Sequence, residues 1–134
     1  MIRNQILTAM TVLTLLRLCA TLSAQNNAVL AVAAEGTTPE AKISTQAARS
    51  PYFLFFDQNG DLVDVVANPH ITERRGAGHQ MVEFLFAKGI HTVVAGEFGP
   101  KTLAAIKEKG MAYYIAVGAA SEAVKHLLKE KENR

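Results

Sequence analysis

Apolar and polar positions change period along this chain, and most of the changes fall at glycine or proline. Ala28 to Ala34 (AVLAVAA) is an unbroken apolar run, which predicts a central strand buried on both faces. Thr37 to Ser50 is polar, contains Pro39 and shows no sustained period, so it reads as a loop with room for one helical turn. Tyr52 to Phe56 (YFLFF) and Leu62 to Ala67 (LVDVVA) predict two strands joined through Asp57-Gln58-Asn59-Gly60, where Asn-Gly is a hairpin signal.

Asn68-Pro69 ends that ladder, because proline cannot donate to it. From Gly76 the pattern becomes helical, with Met81, Phe84, Leu85 and Lys88 recurring at three- and four-residue steps, which predicts a helix stopped by Gly89. His91 to Ala95 is a short β-branched strand. Pro100 opens a second helix, with Leu103 and Ile106 as its stripe, ending at Gly110. Ala112 to Val117 predicts a last strand, and Ser121 caps a final helix that turns Val124, Leu127 and Leu128 inward.

The order is therefore β-β-β-α-β-α-β-α. Short connections make the first three strands an antiparallel meander, and the strand–helix–strand units are right-handed parallel crossovers. The simplest outcome is an α/β fold: one three-layer domain on a five-stranded mixed sheet of order 3-2-1-4-5, with ribonuclease-H-like topology. At 134 residues the chain holds one core and not two.

That topology gathers chemistry at one place. Strands one, three, four and five point the same way, so their C-terminal ends share an edge, where α/β sheets place ligands. Glu35 to Thr38, His70 to His79, Gly96 to Lys101 and Gly118 to Ser121 converge there. Three of these segments open helices, whose free N–H groups carry partial positive charge. Gly76, Gly78, Gly99 and Gly118 supply the turns, while Arg74, Arg75, His79 and Lys101 add positive or ligating groups. Glu97 opposes them. On balance the edge prefers an anion.

Charge and composition narrow the options. The net charge is +2, but Arg3 and Arg17 lie in the N-terminal segment, and the remainder carries equal numbers of acids and bases. A neutral domain with no basic cluster beyond Arg74-Arg75 lacks the footprint of a nucleic-acid binder. Asp57 and Asp61 flank the hairpin at the opposite edge, too far from Glu35 for two-metal hydrolysis, and no serine sits in a nucleophile-elbow sequence. A catalytic role is not expected.

The first residues have their own logic. Arg3 precedes an apolar run from Ile6 to Leu16, and Leu22-Ser23-Ala24 forms a small-residue exit, as in a secretory signal cleaved after Ala24. Residues 1–24 are thus read as a signal peptide and 25–134 as the mature domain, exported to the periplasm; a mis-called start would leave it cytoplasmic. Cys19, the only cysteine, falls inside that segment. The mature chain then has no thiol for a disulfide or a metal.

Beyond these readings, the segments SPYFLFFDQNGDLVDVVANP and GAGHQMVEFLFAKGIHTVVAGEFGPKTLAAIKEKGMAYYIAVGAASEAV resemble the dinitrogenase iron–molybdenum cofactor biosynthesis family. The resemblance rests on Pro51-Tyr52-Phe53, Asp57 with Gly60, Asn68-Pro69, Gly76-Ala77-Gly78, Gly96 with Gly99-Pro100, and Gly118, and covers Val29 to Leu128. It implies a ribonuclease-H-like fold and a non-enzymatic protein that binds or carries an iron–molybdenum or iron–sulfur cluster or its precursor. Such clusters are anionic. The resemblance implies ligation by histidine, with His79 first because it follows the GAG turn and His70 second. Gly76, Gly78, Gly99, Gly118, Arg75 and Lys101 would cradle the cluster. A second reading keeps the fold as an exported interaction module for a protein partner or another small anion. A monomer is expected in either case.

Overall fold

The computed structural model describes residues 27–134, so the segment read as a signal lies outside the described residues. Five strands form one mixed sheet: β1 (Leu30–Ala34), β2 (Tyr52–Phe56), β3 (Leu62–Ala67), β4 (Thr92–Ala95) and β5 (Ala112–Ile115). Three helices accompany them: α1 (Ala77–Ala87), α2 (Pro100–Glu108) and α3 (Ala120–Glu132). The sheet order is β3-β2-β1-β4-β5, as the connection rules require. β1 is antiparallel to β2 and parallel to β4, and β4 is parallel to β5.

The alternation of side chains divides the core into two layers. Ala31, Ala33, Phe53, Phe55, Val93 and Ala95 face one side, where Met81, Val82 and Leu85 of α1 and Ala105 and Ile106 of α2 cover them. Leu30, Val32, Leu54, Phe56 and Val94 face the other side, covered by Val124 and Leu127 of α3. Every residue of β1 is buried, as expected for a strand with helices over both faces. Fully buried side chains such as Phe53, Leu54 and Met81 each contribute about 1.5–3 kcal/mol by leaving water.

Several local expectations shift for identifiable reasons. At the hairpin only Gly60 has a positive φ, at 86°, and Asn59 does not. The Asp57 amide donates to the Asp61 carbonyl, and the Asp57 carboxylate accepts from the amides of Asn59 and Asp61. The connection is therefore an Asx-stabilised turn closed by glycine, with a register shift between Phe55 and Phe56, and not a tight two-residue turn. β1 starts at Leu30 rather than Ala28, and β5 ends at Ile115 rather than Val117. In α2 the buried positions are Thr102, Ala105 and Ile106, with Leu103 only partly covered.

The expected cap of α3 is a correction. Ser121 lies within the helix, the N-cap position belongs to Ala119, and no side chain caps it. The amides of Ala120 and Ser121 instead donate to the carbonyls of Ala41 and Pro39 at 2.9 and 2.8 Å. A distant loop satisfies this helix end, a solution invisible to local sequence. Among the described residues, no helix is long and apolar enough to cross a membrane.

Candidate functional site

The loop between β1 and β2 does not merely lead from one strand to the next. It runs as a strap across the C-terminal edge of the sheet. The Ser44 amide donates to Ala33, the Gly96 amide to Ser44, and the Ile43 amide to Gly118. Isolated bridges pair Ile43 with Ala34, Lys42 with Ala119 and Gln46 with Glu97. A single 3₁₀ turn at Ala47–Arg49 then leads into β2.

This strap divides the edge on which the glycine turns converge. Gly118 and the start of α3 lie on one face, with their polar groups bonded to the strap. On the other face α1 and α2 begin side by side. Gly78 and Gly99 meet there with Thr102, Glu97, Gln46 and Arg49 around a cavity of about 310 Å³. Of the expected cradle, the structure thus joins Gly78 to Gly99 and sets Gly118 apart.

The two glycines of the first turn serve different ends. Gly76 precedes α1 in the left-handed conformation, with φ 72°, and a Cβ there would meet nothing within 4 Å. It supplies backbone geometry. Gly78 has no such need; it allows α1 to approach the Thr102 side chain on α2. Neither helix start carries a side-chain cap, so their first N–H groups are left for solvent or a ligand.

The loop from Asn68 to Arg75 is pinned beside this cavity. Buried Asn68 donates through Nδ2 to the carbonyls of Ala48 and Ser50 at 3.1 and 2.9 Å, while its Oδ1 accepts from the His70 amide at 2.9 Å. Arg49 donates through Nη1 to the carbonyls of Ile71 and Glu73 at 3.0 and 2.6 Å. These two residues fix the loop that carries His70, Arg74 and Arg75. Sequence reading found Asn68 only as a strand breaker and missed Arg49 and Thr102. Nothing in the local pattern marks Arg49, whose partners lie more than twenty positions downstream.

The histidines sit in contrasting surroundings. His79, on the first turn of α1, is exposed, and its Nε2 lies 3.8 Å from the Glu83 carboxylate one helical turn on. Glu83 is held more closely by Lys109, at 3.0 Å. His70 packs edge-on against Phe84 and lies 3.9 Å from Glu73. Its Nδ1 is buried without a hydrogen-bond partner among the described residues. An orphaned imidazole nitrogen is an available donor to a metal. Among the described residues, Arg74, Arg75 and Lys101 form no ion pair.

Direct chelation by several side chains finds no support in this arrangement. Among the described residues, no three histidine, cysteine, aspartate or glutamate side chains converge as a metal site. What the edge offers is hydrogen-bond donors, cations and single imidazoles. Those suit an intact anionic group more than a bare cation.

The family described as dinitrogenase iron-molybdenum cofactor matches residues 28–130. Among solved structures, the apo orange protein of Desulfovibrio gigas superposes with a TM-score of 0.71 at 24% identity, over 76% of this chain and 88% of its own. A Thermotoga protein described as a putative NifB protein, TM1290, gives 0.65 at 27% identity, over 76% and 88%. PH0822 gives 0.64 at 22% identity, over 75% and 90%. No curated protein matches the chain. The family match spans nearly all the described residues, and the chain belongs to the dinitrogenase iron-molybdenum cofactor family.

Proposed function

We propose that the chain binds or carries an iron–molybdenum-type or iron–sulfur cluster, or a precursor of one, and performs no catalysis itself. The observation that carries this reading is the pair of side-by-side helix starts, α1 and α2, opening without side-chain caps onto one cavity. Uncapped N–H groups and the partial positive charge of two helix ends favour an anion there. Membership of the cofactor family, together with the names of the orange protein and the NifB protein, supports a metal cluster as that anion.

Such a cluster would be held by charge and hydrogen bonds, with a single imidazole as the only side-chain ligand. Gly78 and Gly99 contribute backbone, Arg75 and Lys101 flank the edge, and Glu97 restrains the charge of the guest. His79 is the first candidate to reach a metal and His70, with its unpartnered Nδ1, the second. The strand order fits a ribonuclease-H-like fold used as a scaffold. Residues 1–24, read as a signal peptide, would take the domain to the periplasm.

The full chain, purified without oxygen from its own host and assayed for iron and molybdenum, tests the reading directly. Bound metal in stoichiometric amount is expected. In parallel, anaerobic reconstitution with ferrous iron, molybdate and sulfide, followed by absorbance, should give weaker binding in His79→Ala. Affinity and stoichiometry equal to wild type would remove His79 as a ligand. Absence of metal in both experiments would overturn the function.

A further inference from the structure

The β2–β3 hairpin closes through Asn59-Gly60, the one place in the chain where glycine follows asparagine. Elsewhere asparagine precedes glutamine, asparagine, alanine, proline or arginine. The difference is chemical. A backbone nitrogen can attack the side-chain carbonyl of an asparagine just before it, and a Cβ on the following residue crowds that approach. Glycine has no Cβ. Asn59 is also exposed to water.

The turn requires this glycine and does not require this asparagine. Gly60 has a φ of 86°, whereas the φ of Asn59 is not positive. A Cβ on Gly60 would also lie 3.1 Å from Cδ1 of Leu128 and 3.7 Å from Cγ1 of Val124, both on α3. Conformation and packing together therefore hold glycine at this position. The susceptible pair is built into the fold.

We propose that Asn59 is a site of spontaneous deamidation, held back in the native protein by the turn at Asp57. The Gly60 nitrogen gives up its proton to solvent and bonds to Cγ of Asn59. The Cγ–Nδ2 bond breaks, and Nδ2 takes up a proton and leaves as ammonia. A five-membered succinimide remains. Water then opens the ring: attack at Cγ gives aspartate, and attack at the backbone carbonyl gives isoaspartate. Nothing is oxidised or reduced, and water is the only co-reactant.

Three hydrogen bonds oppose ring closure. The Gly60 amide, whose nitrogen must attack, donates to the Asp57 carbonyl at 3.1 Å. The amides of Asn59 and Asp61 donate to the Asp57 carboxylate at 2.9 and 3.0 Å. One side chain thus clamps the peptide units on both sides of the reacting one.

The product undoes the turn that delayed it. Isoaspartate adds one carbon to the backbone just before Gly60, which draws the glycine away from Leu128. Either product also sets a new carboxylate between Asp57 and Asp61, where like charges repel. The hairpin lies at the end of the sheet opposite the starts of α1 and α2, so this inference is independent of cluster binding.

The full chain, incubated in mildly alkaline buffer and digested for peptide mass spectrometry, tests the proposal. The Asn59 peptide should gain the mass of an amide-to-acid exchange while the Asn68 and Asn133 peptides stay unchanged. Chromatography should resolve aspartate and isoaspartate forms. Unfolding in urea should speed the reaction, and Asp57→Ala should speed it about tenfold in the folded protein, the worth of roughly one net hydrogen bond. Asp57→Asn keeps the side-chain acceptor and should stay close to wild type. Aged wild type should exchange amide hydrogens faster at Val124 to Leu128, and Asn59→Ser should not change on ageing. An Asn59 that reacts no faster in urea than in the native protein overturns the proposal. So does a folded Asp57→Ala that keeps the wild-type rate, or modified protein with unaltered exchange in α3. If Asp57→Ala does not fold, the native and urea rates of wild type decide.

Discussion

Gly78 of α1 lies directly against Thr102 of α2, so that a methyl group in its place would overlap the threonine hydroxyl. Rotating the hydroxyl away still leaves the Thr102 Cβ at 3.1 Å. Helix propensity alone would favour alanine by up to about 1 kcal/mol. Overpacking between two helices costs about 1–3 kcal/mol, and Thr102 is buried, so the clash should win. Gly78→Ala is expected to lower stability by about 1–2 kcal/mol in urea denaturation. The double variant with Thr102→Ala should recover part of the loss, whereas simple additivity would disprove the contact.

Asn68 is the second structural prediction. Its side chain satisfies two carbonyls and one amide in a buried position. Each buried group left unpaired costs about 1–3 kcal/mol, so Asn68→Ala should lower stability by roughly 2–4 kcal/mol. Asn68→Asp keeps the acceptor but turns a carboxylate toward two carbonyls. It should be no better at neutral pH, and a near-neutral result would contradict the bonding described.

Arg49 should behave differently, because its bonds tie down a loop and not the core. Two charge-assisted bonds at an exposed site are together worth about 1–2 kcal/mol locally. Arg49→Ala should therefore speed hydrogen exchange over Ile71 to Arg75 by about tenfold while global stability changes little. A uniform loss of protection across the sheet would assign Arg49 to the core instead.

His70 separates stability from binding. With Nδ1 unpartnered, the imidazole contributes no hydrogen bond there that a phenyl ring would lose. His70→Phe can keep the edge-on contact with Phe84 and should alter stability by less than about 1 kcal/mol. If His70 also serves as a metal ligand, the same variant will load less metal in the reconstitution. A large loss of stability would show a hidden bonding role.

The sequence made the sheet legible and the strap opaque, for a physical reason. β2 and β3 fall where the aromatic and β-branched runs place them, and the order 3-2-1-4-5 follows from connection lengths and handedness. Pro39 to Arg49, by contrast, is held by single bonds to Ala33, Gly96, Gly118, Ala120 and Ser121, all set by tertiary position. No periodicity records such contacts. Ser121 therefore resembles a cap in sequence, while the actual acceptors are backbone carbonyls of the strap. Gly76, Gly78 and Gly118 look alike in sequence, yet one sets a turn, one permits helix contact and one bonds to the strap. Arg49 and Thr102 escape notice because neither belongs to a recognisable spacing.

The central position of β1 also governs when the chain can acquire its structure. Leu30 pairs with Phe56 on one side and Thr92 on the other. The first partner follows soon after synthesis, but the second arrives only when most of the domain has been made. Until then a wholly apolar strand keeps one bare edge, a condition that favours aggregation during slow, non-local folding. The small residues of LAVAA reduce that exposure, since alanine offers little surface for an intruding chain to bury. The same residues that let two helical layers close tightly on the finished sheet make its longest-waiting strand the least adhesive.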